Sequence, residues 1–105
     1  MCGINLAFAY RPDAPPVDRA ELLAVRDAMT ARGPDGAGLW IDDDARIGIG
    51  HRRLAIIDLS EAGVQPMHSR SGRYVLIYNG EVYNSAEIRG DLKAEERGPF
   101  EGHSD

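Results

Sequence analysis

The sequence predicts a mixed α+β fold. Three patterns indicate it: apolar residues that alternate near the N-terminus, two short apolar segments separated by an acidic turn, and two stretches with apolar residues three or four positions apart. The first two patterns are typical of strands, and the third is typical of helices that face a core. With 105 residues, 43% of them hydrophobic, the chain is long enough for one domain with a modest core.

The first strand is predicted to run directly from Cys2. Ile4, Leu6 and Phe8 alternate with smaller or polar residues, as expected for a strand with two different faces. A loop over residues 11–16 should follow, because its three prolines fix the backbone and remove hydrogen-bond donors. Cys2 is therefore expected at the tip of a strand.

A helix is predicted after this loop. Asp18 is a suitable cap, and Leu22, Val25 and Met29 are spaced so that they form one face, which we expect to cover the core. The helix should end at residues 32–36, where two glycines and a proline provide a turn.

A hairpin is the next expected element. Leu39 to Ile41 and Ile47 to Ile49 are its predicted arms, and the acidic residues Asp42 to Asp44 form the turn. The second arm leads into the nearly continuous apolar run from Leu54 to Leu59, which is compatible with a strand buried on both faces or a buried extended segment.

The last third of the chain predicts a loop, a strand and a helix. Residues 60–73 are expected to form a surface loop, and Tyr74 to Tyr78 carry the strongest strand signal in the sequence. The strand should end at the turn dipeptide Asn79-Gly80. Asn84 is then expected to cap a helix that extends through Lys93.

Charge and composition exclude several classes of protein. A net charge of -5 gives no attraction to nucleic acid or to an anionic membrane. A single cysteine cannot form an internal disulfide, and no apolar run reaches the ~18 residues that a membrane-spanning helix needs. Since the N-terminus has no signal-peptide pattern, we expect a cytoplasmic protein.

Cys2 is the first candidate for chemistry. Removal of Met1 would leave one residue with a thiol and a free α-amine, and the amine can accept the proton that the thiol must lose before it attacks a carbonyl. A free cysteine is also often a small buried hydrophobic residue, and the residue type alone does not separate the two interpretations.

Two further candidates follow strands. The amide of Asn79 and the neighbouring Gly80 N–H can point at one oxygen and stabilise an oxyanion, although a plain turn would give the same sequence. Arg53 is suited to a bidentate contact with a carboxylate, or it is a surface charge. Cys2 and the three histidines share no ligand spacing, so no metal site is predicted.

Taken together, these residues resemble a known family. The chain is similar along its whole length to the N-terminal glutaminase domain of glutamine-hydrolysing asparagine synthetase. The blocks that carry the resemblance occur in the family's order: Cys2 to Ile4, Arg32 to Gly36, Gly50 to Ser60, Gly63 to Met67, Tyr78 to Asn84, and Ser104-Asp105.

The resemblance implies a class II glutamine amidotransferase domain with the N-terminal nucleophile hydrolase fold, in which antiparallel sheets are sandwiched between helices. It implies that Cys2 is the nucleophile that attacks the side-chain amide of L-glutamine, and that Asn79 and Gly80 form the oxyanion hole. Arg53 would hold the α-carboxylate, and Glu81 and Asp105 would receive the α-ammonium. Backbone groups of Leu54, Ala55, Ile56 and Ile57 would line the same pocket.

The resemblance also sets expectations about the rest of the protein. The family's domain continues beyond the position of Asp105 and precedes a synthetase domain. We therefore expect residues 1–105 to be the N-terminal part of an incomplete domain, poorly stable and weakly active or inactive alone. No cofactor is expected here, and ATP and Mg are expected only in the synthetase domain. That domain is the expected partner of this one in the full-length enzyme, and the resemblance is compatible with a homodimer. The alternatives are a related amidotransferase with another ammonia acceptor and a non-catalytic fragment.

Overall fold

The structure is a computed structural model, and it describes residues 1–56 and 59–92. Within these residues the chain forms a small α+β fold with antiparallel sheets, so the predicted class is confirmed. The elements in chain order are β1 (Gly3–Phe8), α1 (Arg19–Ala28), β2 (Gly36–Ile41), β3 (Ile47–Arg53), β4 (Met67–His68), β5 (Val75–Leu76) and α2 (Ser85–Asp91). Neither of the described helices is long and apolar enough to cross a membrane.

The main sheet has three strands in the order β1-β3-β2. The predicted hairpin is confirmed, because β2 pairs antiparallel with β3 and places Leu39 opposite Gly50. Strand β3 also pairs antiparallel with β1, with Gly3 opposite Arg52. Since β3 continues to Arg53, Arg52 and Arg53 lie at the end of the central strand. They are beside the start of β1 and therefore beside Cys2.

Helix α1 covers one face of this sheet. The predicted cap is confirmed, since the Asp18 carboxylate accepts hydrogen bonds from the N–H groups of Ala20 (2.7 Å) and Glu21 (3.0 Å). Leu22 is 4% exposed and packs over Gly48, where an added methyl group would lie 2.6 Å from the Leu22 Cδ2. Val25 was predicted on the buried face, but it is 49% exposed because the face that meets the sheet is centred on Leu22.

The other face of the sheet is only partly covered. The segment that contains Gln65 and Pro66 lies against Gly38 on β2, and Ile49 and His51 on β3 are buried. At the β1 edge the predicted alternation leaves Ile4, Leu6 and Phe8 between 45% and 61% exposed. We call these three side chains the β1 apolar row.

Two expectations for the region after residue 59 are wrong in part. The strong strand signal over Tyr74 to Tyr78 yields only β5, because its partner β4 offers just two residues for pairing. The segment expected to be a plain loop contains β4 and a short 3₁₀ turn, Glu61–Gly63. A strand needs a neighbour for its backbone hydrogen bonds, and β-propensity alone does not supply one.

The apolar run after β3 also differs from its prediction. Leu54 to Ile56 are not in a strand, and Ile56 and Leu59 are 73% and 78% exposed, so burial on both faces is wrong for the described members. Helix α2 starts after Asn84 as predicted, but the Asn84 side chain makes no capping hydrogen bond and the helix ends at Asp91. The predictions for Ile57, Lys93 and Ser104-Asp105 fall outside the described residues.

Candidate active site

A cavity of about 430 Å³ opens beside the start of β1 and brings together residues from distant parts of the chain. It contains every predicted site residue that the structure describes: Cys2, Arg53, Leu54, Ala55, Ile56, Asn79, Gly80 and Glu81. We call it the Cys2 cavity. The two other predicted residues, Ile57 and Asp105, lie outside the described residues.

Cys2 is half-buried at the wall of this cavity. Its sulfur lies against the backbone of Leu54, whose N–H donates to the Cys2 Sγ at 3.4 Å and whose carbonyl oxygen is 3.8 Å from it. An N–H directed at sulfur becomes a stronger hydrogen bond when the sulfur is negatively charged. The Arg32 Nε donates to the Cys2 carbonyl at 3.4 Å, so both the side chain and the backbone of Cys2 are held.

The segment after β3 is held by the turn that precedes β2. The Asp35 N–H donates to the Arg53 carbonyl at 3.0 Å, and the Asp35 carboxylate accepts the Ala55 N–H at 2.9 Å. Gly33 lies so close to Arg52 that an added methyl group would be 2.4 Å from the Arg52 carbonyl carbon. Only glycine fits there. Because Gly33 has no side chain, the turn can pack directly against the backbone of β3 just before the segment that lines the Cys2 cavity.

Arg53 is the cation of the site. It leaves the end of β3, lines the Cys2 cavity and donates from Nη1 to the Ser60 carbonyl at 2.7 Å. An added methyl group on Gly63 would lie 2.5 Å from the Arg53 Nη2, so the loop after β3 packs closely against the guanidinium. A guanidinium carries five N–H donors in a rigid fork, which suits it to a carboxylate.

Residues that follow β5 also line the Cys2 cavity. Asn79 is half-buried, while Gly80 and Glu81 are exposed. The Tyr78 ring lies against Gly80, and an added methyl group on Gly80 would be 2.7 Å from the tyrosine hydroxyl oxygen. Neither Asn79 nor Gly80 has a positive φ, so the predicted turn does not use left-handed backbone. Asn79 and Glu81 therefore add a side-chain amide and a carboxylate to the residues that line the cavity.

A second cavity of about 420 Å³ shares a wall with the first. It is lined by His51 and by the carboxylates of Asp35 and Glu61, and Arg53, Ala55 and Gln65 line both cavities. His51 is 1% exposed, and neither imidazole nitrogen has a hydrogen-bond partner within residues 1–56 and 59–92. Burial lowers the pKa of His51 below its ordinary value, and the nearby positive charge of Arg53 lowers it further.

The lowered pKa of His51 predicts a pH dependence of stability. The unfolded chain takes up a proton near pH 6.5, whereas folded His51 resists it, so the free energy of unfolding should fall as the pH drops below about 6.5. The slope from this one group is at most about 1.4 kcal/mol per pH unit. Urea unfolding at several pH values measures it, and His51→Phe should remove this part of the slope.

If the phenylalanine variant fails to fold, an NMR titration of the His51 imidazole in the unmodified protein decides the same question. The expected midpoint lies below 6.5. A midpoint at or above that value would contradict the account of His51 as a buried neutral imidazole.

Sequence reasoning missed three residues that support the site. Arg32 and Asp35 were interpreted as part of a helix-ending turn, yet they hold Cys2 and the segment from Arg53 to Ala55. Gln65 was assigned no role, yet its side chain accepts a hydrogen bond from the Tyr78 N–H. The only signal for them was their position inside the blocks that carry the family resemblance.

Comparison with known proteins identifies the family of the chain. The glutamine amidotransferase domain family matches residues 1–105. The chain belongs to this family. It is a glutamine amidotransferase domain homologous to glutamine-hydrolysing asparagine synthetases, as predicted from the sequence.

Three relatives illustrate the match. The chain is 40% identical over 95 residues to asparagine synthetase [glutamine-hydrolyzing] 1 of Bacillus subtilis. The matched region is 90% of this chain and 15% of that protein. It is 36% identical over 91 residues to asparagine synthetase B of Escherichia coli (87% of this chain, 16% of that protein). It is 39% identical over 115 residues to amidase chry2 of Gibberella zeae (100% of this chain, 16% of that protein).

The chain therefore spans less than a fifth of the length of these relatives. No solved structure matched it.

Proposed function

We propose that this domain hydrolyses L-glutamine to glutamate and ammonia as the glutaminase part of an asparagine synthetase. One observation carries the proposal: the Cys2 cavity collects a thiol, a guanidinium, a side-chain amide and a carboxylate that are up to 79 positions apart in the sequence. Its volume falls in the range of small-molecule sites. Family membership supports glutamine as the substrate.

The first half of the proposed reaction forms a thioester. With Met1 removed, the α-amine of Cys2 takes the thiol proton, and the thiolate attacks the side-chain amide carbon of glutamine. A bond forms between Sγ and that carbon, and the carbonyl oxygen becomes an oxyanion. The oxyanion then collapses, the carbon–nitrogen bond breaks, and the amine returns its proton to the leaving nitrogen, which departs as ammonia.

The second half releases glutamate. Water adds to the thioester carbon while the α-amine of Cys2 accepts one of its protons, and a second oxyanion forms. When this collapses, the carbon–sulfur bond breaks and the thiol is regenerated. In both halves the side chain of Asn79 and the N–H of Gly80 stabilise the oxyanion, and the presence of both residues in the lining of the Cys2 cavity supports this role.

Recognition of glutamine uses opposite charges on either side of its α-carbon. Arg53 binds the α-carboxylate, and Glu81 binds the α-ammonium. The family resemblance assigns Asp105 to the same ammonium, and Ile57 to the lining of the pocket beside Leu54 and Ala55. This arrangement selects a free amino acid over an amide within a protein chain.

Replacement of Arg53 tests this recognition. We expect Arg53→Lys to raise the KM for glutamine by about 30- to 100-fold with a smaller effect on kcat, because a bidentate charge-assisted contact is lost. The effect should largely disappear with 4-aminobutanamide, which keeps the amine and the amide but has no α-carboxylate. Steady-state ammonia release measures both.

Arg73→Lys is the matched control, since Arg73 stacks on the Tyr74 ring at 5.5 Å and does not line the Cys2 cavity. It should leave both constants unchanged. An equal loss on glutamine and on 4-aminobutanamide in Arg53→Lys would contradict a contact between Arg53 and the carboxylate.

The proposal extends to the whole protein. The ammonia would react with an aspartyl-adenylate made by a synthetase domain that uses ATP and Mg, in a cytoplasmic enzyme whose quaternary structure is compatible with a homodimer. The glutaminase domain itself needs no cofactor. The N-terminal nucleophile hydrolase sandwich is part of the same proposal, and the β1 apolar row supports it, because a second layer would bury that surface.

A related amidotransferase with another acceptor is the second candidate. The match to a protein named amidase chry2 favours it, since relatives of this domain are not all named asparagine synthetases. Incubating the full-length protein, including the synthetase domain, with glutamine, aspartate, ATP and Mg separates the two candidates. Formation of asparagine supports the first; ammonia release without asparagine supports the second; and the absence of both supports a non-catalytic fragment.

A further inference from the structure

The side chain of Gln65 reaches from the segment before β4 to the residue that precedes the proposed oxyanion donors. Its Oε1 accepts a hydrogen bond from the Tyr78 N–H at 2.5 Å. We infer that Gln65 is a positioning residue of the proposed glutaminase, which fixes the peptide that carries Asn79 and Gly80. The inference rests on the proposed function and assigns to Gln65 a role separate from contact with the reacting atoms.

The peptide in question has little other support. Strand β5 ends at Leu76, and outside the strand ladder residues 77–81 make no backbone hydrogen bond to other described residues. Among the described residues, the hydrogen bond that the Tyr78 N–H donates to Gln65 is therefore the polar contact that fixes the position of the backbone at Tyr78. Asn79 follows directly in the chain, so its position depends on this contact.

Gln65 is itself held against the main sheet. An added methyl group on Gly38 of β2 would lie 1.8 Å from the Gln65 carbonyl oxygen and 2.9 Å from the Pro66 Cδ. Such close approach is allowed only because Gly38 has no side chain. The contact anchors the backbone of Gln65 on the sheet in which β1 begins directly after Cys2 and β3 carries Arg53. Gln65 thus connects the main sheet, which positions Cys2 and Arg53, to the segment that carries Asn79 and Gly80.

Gln65 lies beside the candidate site and is not a surface residue remote from it. It is half-buried and lines both the Cys2 cavity and the cavity that contains His51, so it forms part of the wall between them. No polar contact joins it to Cys2 among the described residues. It acts on the reaction through Tyr78, by setting where Asn79 and Gly80 stand relative to Cys2.

Oxyanion donors act only when they are aimed at the position where charge develops. A shift of about 1 Å can lower the rate by ~10²-fold, and an interaction made only in the transition state changes kcat and leaves KM nearly unaltered. Loss of the Gln65 contact should therefore lower kcat by roughly 10- to 100-fold. The KM for glutamine should change less than about twofold.

The test compares Gln65→Met with Gln65→Glu. Methionine keeps the unbranched shape but removes the strong acceptor, whereas glutamate keeps an oxygen acceptor for the Tyr78 N–H. We expect the methionine variant to lose kcat as stated and the glutamate variant to recover most of it. Activities are normalised to the fraction of protein labelled at Cys2 by an electrophilic glutamine analogue, which removes any contribution from misfolded protein.

Equal kcat values in the two variants, or a methionine variant with unchanged kcat, would overturn the inference. Hydrogen exchange at the Tyr78 N–H gives a readout that does not depend on catalysis: it should be about fivefold faster in Gln65→Met than in the unmodified protein and in Gln65→Glu. Unchanged exchange overturns the anchor itself. Unmodified protein that neither hydrolyses glutamine nor is labelled at Cys2 overturns the proposed function, and with it the positioning role of Gln65 in that reaction. The exchange result still decides whether Gln65 holds the Tyr78 backbone.

Discussion

Replacing Cys2 by alanine should abolish glutamine hydrolysis. The variant lacks the only thiol in the chain, so no thioester can form, and the rate should fall on the order of 10⁴-fold or more. Ammonia and glutamate release measure the loss. Glutamine should still bind, because Arg53, Asn79 and Glu81 remain in the cavity.

Binding of glutamine to Cys2→Ala, measured by calorimetry, is the control for a correctly formed cavity. A variant that binds glutamine and does not hydrolyse it is the expected result. Hydrolysis by Cys2→Ala within about tenfold of the unmodified rate would remove Cys2 from the mechanism, since no nucleophile would then be required from this residue.

Asn79→Ala should produce the second largest effect. It removes one of the two proposed oxyanion donors, and the loss of one such donor typically lowers kcat by about 10²- to 10³-fold. The KM should change little, because the donor acts mainly on the charge that develops in the transition state. Steady-state kinetics with glutamine separate the two constants.

Asn84→Ala is the matched control for this variant. Asn84 is also an asparagine near the end of the described chain, but it lies outside the Cys2 cavity and its side chain makes no capping hydrogen bond to α2. It should retain unmodified kinetics. If Asn79→Ala raised KM and left kcat unaltered, Asn79 would be a ground-state binding residue and not an oxyanion donor.

Local patterns predicted the elements whose stability is local. The β2–β3 hairpin follows from two apolar arms around an acidic turn, and α1 follows from the Asp18 cap together with the spacing around Leu22. Each of these features depends on residues close in sequence. The exposure of Val25 was not predictable, because it depends on which side of α1 meets the sheet.

Elements that depend on distant partners were predicted less well. The segment from Tyr74 to Tyr78 has high β-propensity, but only Val75 and Leu76 find a partner strand. The hydrogen bonds that hold the candidate site were not predicted for the same reason. Asp35 and Ala55 are 20 positions apart in the sequence, and Gln65 and Tyr78 are 13 positions apart. No local periodicity encodes such contacts.

The predicted grouping of the candidate site agrees with the structure for its described members, while the roles of the residues stay predictions. Its described members meet in one cavity, but this grouping came from resemblance, because thiol, guanidinium and amide lie on separate segments of the chain. Chemistry limits which side chains can act on an amide, and a family resemblance identifies them by position. The wall between the Cys2 cavity and the His51 cavity became apparent only from the structure.

The most direct test of the central claim is mass spectrometry of the protein after treatment with an electrophilic glutamine analogue. The account predicts one adduct per chain on Cys2, on a protein whose Met1 has been removed, and protection from labelling by excess glutamine. An active protein that retains Met1, or an adduct on a residue other than Cys2, would contradict it.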